Sequence, residues 1–107
     1  MQRITTPDDR KDLIKGRIHH LINEEDIKHI RFFSHVTIEP GDAVDYHKHE
    51  GEYEIYYIVS GEGLYNDNGE EIPVSKGAVT YCENGRSHGI KNAGDMPLEF
   101  IAAIVVE

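Results

Sequence analysis

His47 and His49 stand two residues apart in the stretch "DYHKHEGEYEIYYIVSG", residues 45–61. On an extended strand that spacing points both imidazoles to one face, which is what a metal site built on a sheet requires. Glu54 opens the next segment just past Gly51, so a hairpin would fold its carboxylate back beside the two histidines. Far downstream, His88 follows a second turn at "ENG". Three imidazoles and one carboxylate make a nitrogen-and-oxygen set suited to a divalent transition metal; Mn²⁺, Fe²⁺, Ni²⁺ and Zn²⁺ all accept it, and ligand type alone does not choose among them. An isolated pair of histidines at this spacing is more often two surface groups on a half-exposed strand. The company of Glu54 and His88 weighs against that account.

These residues need strands to carry them. From residue 16 onward the chain breaks into short segments rich in β-branched and aromatic residues: "GRIHHLI", "IKHIRFFSHVTI", "AVDYHKH", "EIYYIVS", "GLYND", "EIPVS", "AVTYC", "SHGIKN" and "PLEFIAAIVV". Glycine, or a polar turn such as "NEED", punctuates them. Asn68-Gly69 and Asn84-Gly85 are tight-turn signals, because both central positions of a type I′ turn need positive φ. Many short strands without a helical period predict an all-β sandwich or barrel. Residues 1–15 lack a sustained period and read as an N-terminal arm, leaving 16–107 as one β domain.

Composition narrows the function classes. A chain of 107 residues is one domain, and at that size it buries roughly 60–70% of its unfolded surface. With 38% apolar residues the core is thin, so pairing into a homodimer is expected. The net charge of −9 excludes nucleic acid and anionic membrane as partners, since neither is approached without a basic surface. No apolar run has the length of a membrane span, and the polar start "MQRITTPDDRKD" lacks the apolar region of a secretion signal. The single cysteine, Cys82, excludes an internal disulfide or a cysteine-based zinc cage. A cytoplasmic location is the expectation.

The pattern around the histidines resembles a known family. Residues 41–61 read Gly41, His47-x-His49, Glu54 and Gly61 at the spacing of the first motif of the cupin superfamily. Residues 77–92 resemble the second, with Gly77, Gly85, His88 and Asn92 in register and Glu83 where the family has proline. The fifteen residues between the motifs fit a single hairpin, so the chain resembles a compact one-domain cupin. The resemblance implies a jelly-roll barrel (a double-stranded β-helix) holding one divalent metal inside an open end through His47, His49, Glu54 and His88. It also implies dimers made by exchanging or packing N-terminal strands, here residues 16–22.

Other polar residues have plainer readings. Glu50 and Glu52 fall in the turn and are expected to face water, although Glu52 shares parity with Glu54 and could approach the rim. His19, His20, His29 and His35 lie outside the motifs and read as structural, as does Asn92 at a turn. Cys82 reads as a small buried residue. Tyr56 alternates with Glu54 and Ile58 and should point into the barrel, whereas Tyr46 and Tyr81 matter only if they reach the mouth. Arg86, two residues before His88, could meet an anionic ligand but reads as a surface group.

Four protein ligands leave two positions open on a six-coordinate ion and at most one on a tetrahedral ion. Open positions suit a small polar metabolite chelated through oxygens. The first expectation is therefore an enzyme of dioxygenase, decarboxylase or isomerase type. Without a basic cluster for sugar phosphates, an oxo-acid, diketone or phenolic substrate is favoured. The alternatives are a metal-dependent small-molecule binding or sensing module without turnover, and a metal that only staples a thin core. No residue is singled out as catalytic acid or base.

Overall fold

The computed structural model describes residues 14–15, 17–22 and 27–107. Residues 1–13 of the arm, Gly16 and the "NEED" turn lie outside the described residues, while Ile14–Lys15 of the arm form a strand paired with the next one rather than standing outside the sheet. Ten strands follow in order: β1 (Ile14–Lys15), β2 (Ile18–His20), β3 (Ile30–Ile38), β4 (Ala43–Lys48), β5 (Glu52–Ser60), β6 (Glu62–Asp67), β7 (Glu70–Ser75), β8 (Val79–Cys82), β9 (Ser87–Asn92) and β10 (Leu98–Val106). Their bounds follow the β-branched and aromatic segments between the glycines. Among the described residues no helix is long and apolar enough to cross a membrane.

The strands form two antiparallel sheets, one in the order β1-β2-β3-β10-β5-β8 and one in the order β4-β9-β6-β7. The jelly roll is thus a sandwich rather than a ring closed by hydrogen bonds, with β1, β8, β4 and β7 as the edge strands among the described residues. Side-chain alternation decides what lies between the sheets. On β5, Glu54, Tyr56 and Ile58 are buried while Tyr53, Ile55, Tyr57 and Val59 face out. Phe100 of β10 sits opposite Val36 of β3 and Ile58 of β5. With Ile38, Tyr56, Tyr65, Ile90, Leu98 and Ala102 these residues make one core. β2 pairs with β3 of its own chain, so the described part of residues 16–22 is engaged within the chain.

Two irregularities break the two-residue alternation near the cluster. In the β3–β10 ladder Ile104 is opposite Phe32 and Val105 is opposite Ile30, which leaves Arg31 as an extra residue on β3. In the β4–β9 ladder Val44 is opposite Ile90 and His47 is opposite His88, so Asp45 and Tyr46 together face Gly89. A bulge of this kind breaks the two-residue period and bends the strand. Gly89 accommodates the second one, because a Cβ there would lie 3.0 Å from backbone atoms of Tyr46.

The two Asn-Gly turns differ. Asn68 (φ 50°) and Gly69 (φ 105°) both take positive φ, as a type I′ turn requires. At the second turn only Gly85 does (φ 88°), and Arg86 N–H donates to Glu83 O at 3.0 Å. That is the single positive φ of a type II turn, which corrects the type I′ expectation there. The turn is anchored to β4 through long-range bonds: His49 N–H to Arg86 O at 3.0 Å, Gly85 N–H to His49 O at 2.7 Å, and Gly51 N–H to Asn84 Oδ1 at 2.8 Å. These bonds hold the loop where Glu83 replaces the family's proline.

Candidate metal centre

β4 delivers His47, the residue after its end delivers His49, β5 delivers Glu54 and β9 delivers His88. One potential ligand atom from each of the four lies within 4.8 Å of all the others, a cluster capable of holding a metal ion. The anchored turn at residues 83–86 fixes the His49 backbone, and the β4–β9 pairing sets His47 directly across from His88. His88 is fully buried, His49 and Glu54 nearly so, and His47 is 36% exposed at the rim.

The separations fit a cation better than a hydrogen-bond network. His49 Nε2 lies 3.0 Å from His47 Nε2, 3.1 Å from His88 Nε2 and 2.9 Å from Glu54 Oε1. A ring nitrogen has one in-plane site to donate or accept and cannot serve three partners. His88 Nε2 is 2.8 Å from the same carboxylate oxygen, and His47 Nε2 is 3.6 Å from it. Adjacent ligands about 2.1 Å from a six-coordinate ion sit about 3 Å apart, which is the spacing of four of these five pairs.

Each imidazole also has its other nitrogen engaged. His47 Nδ1 is 2.6 Å from Asp45 O, His88 Nδ1 is 2.8 Å from Tyr65 Oη, and His49 Nδ1 meets Glu52 Oε2. With Nδ1–H donating outward, each ring presents a free Nε2 lone pair inward, the tautomer a ligand needs. Glu52 is not a water-facing turn residue. Its carboxylate is 14% exposed and also accepts from Arg31, Nε at 3.1 Å and Nη2 at 2.8 Å. Glu50 does face solvent, beside Lys48.

Electrostatics keep the set in ligand form. Burial raises the Glu54 carboxyl, but the His88 hydrogen bond and the charges of His88, His49 and His47 outweigh it, leaving the group below its ordinary range. Burial lowers His88, and the Glu54 contact only partly offsets that, so the ring favours its neutral form. Burial pushes the Tyr65 phenol up to about 12, so near neutral pH it is an uncharged partner for His88.

Beside the cluster lies a cavity of about 290 Å³. Its wall includes Phe32, Val36, Val44, Phe100 and Ile104, with Arg31 its one charged member besides Glu54. Tyr56, 2% exposed, stacks on His88 at 4.9 Å and also lines the cavity. A larger cavity of about 480 Å³ along β6, β7 and β8 touches the cluster only through Tyr65, and it is there that Arg86 and Tyr81 lie. Tyr46 borders neither and is 51% exposed. Cys82, opposite Glu54 across β5–β8, is buried with its thiol pushed up by burial and by the Glu54 charge. Asn92, the last residue of β9, is structural and holds the turn that follows: Nδ2 donates to Ile38 O at 2.9 Å and Met96 O at 2.7 Å, and Oδ1 accepts from Gly94 N–H.

The sequence matches a family described as the cupin domain over residues 34–105. The chain belongs to the cupin family. A protein of Thermotoga maritima named oxalate-binding protein is 43% identical over 95 residues, covering 86% of this cupin and 78% of the relative. The crystal structure of a predicted oxalate decarboxylase from Thermotoga maritima superposes with TM-score 0.83 at 43% identity, covering 84% and 79% of the two chains. A putative sugar phosphate isomerase from Acidithiobacillus ferrooxidans superposes with TM-score 0.79 over 97% of this cupin and 75% of that chain. At 21% identity that likeness speaks for the fold alone.

Proposed function

We propose that this cupin holds one divalent transition ion (Mn²⁺, Fe²⁺, Ni²⁺ or Zn²⁺) through His47, His49, Glu54 and His88, and binds there a small molecule that offers two adjacent oxygens. The observation that carries this reading is the inward convergence of three Nε2 atoms and one carboxylate oxygen, with every Nδ1 taken by an outer partner. Oxalate is the reference ligand, because the Thermotoga relative carries that name. The ion would supply Lewis acidity at its open positions.

Binding is favoured over acid–base turnover. Apart from the four ligands, the titratable groups on the cavity wall are Arg31 and Tyr56. Burial and the Glu54 charge push the Tyr56 phenol well above its ordinary range, and arginine stays protonated. Neither serves as a proton acceptor near neutral pH. The test is metal analysis of the purified protein followed by calorimetric titration with oxalate. About one ion per chain and metal-dependent oxalate binding are expected, with both lost in His47→Ala. A variant that retains the ion with parent affinity overturns the ligand assignment.

We also propose that two copies pair through the outer face of the six-stranded sheet. Six of the ten exposed large apolar side chains among the described residues project from it: Tyr53, Ile55, Tyr57, Val59, Val79 and Tyr81. Ile55 lies opposite Tyr81, and Tyr57 opposite Val79. In a chain of net charge −9 a patch of uncharged side chains, with Glu107 at its border beside Tyr53, is where two copies meet with least repulsion. Light scattering should report a dimer for the parent protein and a monomer for Tyr57→Glu; a monomeric parent refutes the pairing.

A further inference from the structure

The cavity beside the cluster is larger and more apolar than oxalate needs. An apolar cavity of about 150 Å³ holds benzene, which has as many non-hydrogen atoms as oxalate. The space here is about 290 Å³. Apart from the metal ligands and from Arg31 and Tyr56, its wall is apolar: β3 contributes Phe32 and Val36, β4 contributes Val44, and β10 contributes Phe100 and Ile104. Apolar wall facing water or a hydrated anion forgoes the burial that would otherwise drive binding.

Charge leads to the same conclusion. Arg31, the extra residue of the β3 bulge and exposed at the cavity mouth, is held by Glu52 through three contacts of 2.8–3.1 Å. That pair cancels within itself, and the imidazoles are neutral when they ligate. A divalent ion with the single carboxylate of Glu54 then leaves one net positive charge. One negative charge on the ligand balances it, whereas oxalate exceeds it by one.

On the reading proposed above, we infer that the ligand of this centre is an amphipathic monoanion: a 2-oxo carboxylate whose two adjacent oxygens reach the ion and whose branched or aromatic hydrocarbon body lies against Phe32, Val36, Val44 and Phe100. The chelating head accounts for the likeness to an oxalate-binding relative; the apolar body accounts for the remaining volume. Val44 faces inward only because the β4 bulge breaks the period between it and His47.

The test is calorimetric titration of the Mn²⁺-loaded protein with oxalate, glyoxylate, pyruvate, 2-oxobutanoate, 3-methyl-2-oxobutanoate and phenylpyruvate. From glyoxylate to the branched acid, affinity should rise about fourfold per added methylene or methyl group. Phenylpyruvate should bind at least tenfold more tightly than oxalate. Phe32→Ala shortens the wall, and Val44→Thr keeps its shape while making it polar. Each should flatten the rise while leaving Mn²⁺ content and oxalate affinity within about twofold of the parent. If no acid binds, oxalate included, the metal-and-chelator reading falls and this inference falls with it. If oxalate binds while the series is flat or declining, the chelator reading stands and the amphipathic ligand is refuted. A rise that persists unchanged in both variants also refutes it, because the body would then lie elsewhere.

Discussion

Tyr65 and Glu52 hold two of the three imidazoles in ligand form without themselves reaching the cluster's centre. Tyr65 Oη sits 2.8 Å from His88 Nδ1 on a ring that is fully buried, so no water can replace it. Outer partners of metal-binding histidines typically contribute about 10- to 100-fold in metal affinity. Tyr65→Phe keeps the ring and removes the acceptor, so Mn²⁺ affinity should fall by about that factor. Glu52→Gln leaves an amide oxygen for His49 Nδ1 and should cost less than Tyr65→Phe. Competition with a chromophoric chelator measures both; equal affinities in parent and Tyr65→Phe would show that the bond does not tune His88. His47, His49 and Glu54 were legible as ligand candidates because spacing on a strand and past a turn is local information, whereas His88, 34 residues from Glu54, was joined to them by the resemblance to the second cupin motif. Tyr65 was not legible, because it lies 23 residues from His88 and reaches it only through the β6–β9 register, in which Tyr65 faces Ile90 and Asp67 faces His88. Glu52 was half legible: parity with Glu54 placed it on the right face and His49 lies only three residues before it, but its other partner, Arg31, comes from 21 residues away on β3.

The strands themselves were largely legible, since each β-rich segment bounded by turn residues became a strand within a residue or two, apart from the first two segments, which were read longer than the strands they hold. What local pattern could not show was where the two-residue period breaks. Arg31 shares parity with Phe33 and His35, which would point it to the outer face. The bulge opposite Ile104 turns it to the cavity mouth instead, and no glycine or proline near Arg31 marks that break. The glycines in the turns carry a clearer signal. Gly61 and Gly77 both take positive φ, 88° and 91°, but only Gly61 is also crowded: a Cβ there would meet Pro97 O at 2.5 Å and Leu98 Cα at 2.8 Å. Gly77 has nothing within 4 Å. Gly77→Ala should therefore cost about 1–2 kcal/mol for the left-handed backbone alone, whereas Gly61→Ala adds overpacking against fixed backbone and should cost about 2–5 kcal/mol in total. Urea unfolding of the two variants side by side separates the contributions. Equal losses would mean that the Gly61 turn relaxes away from Pro97.

At the scale of the whole molecule, the cluster links folding to acidity and to metal. His88 and Glu54 both have folded-state pKa values below their ordinary ones of 6.5 and 4.5. For a group lowered by folding, the unfolded chain takes up the proton first as pH falls, so stability is lost in that direction. The His88 contribution is complete above about pH 6.5 and is lost as pH falls through its lower folded value. The Glu54 contribution follows at lower pH, complete above about 4.5 and lost below. Metal reinforces the same slope, because only neutral imidazole and ionised carboxylate bind it. Its stabilisation grows with free metal relative to the dissociation constant, about 2.7 kcal/mol at a hundredfold excess. The metal-free protein should therefore lose thermal stability in two steps, one as pH falls below about 6.5 and a second as it falls below about 4.5. The Mn²⁺-loaded protein should melt higher at pH 7 and converge on the metal-free curve as the histidines protonate. Scanning calorimetry from pH 7 through both steps, with and without a chelator, tests the linkage. Metal-loaded and metal-free curves that stay parallel down to pH 4 would show that the ion is not held by titrating imidazoles, and the assignment of His47, His49 and His88 would fail.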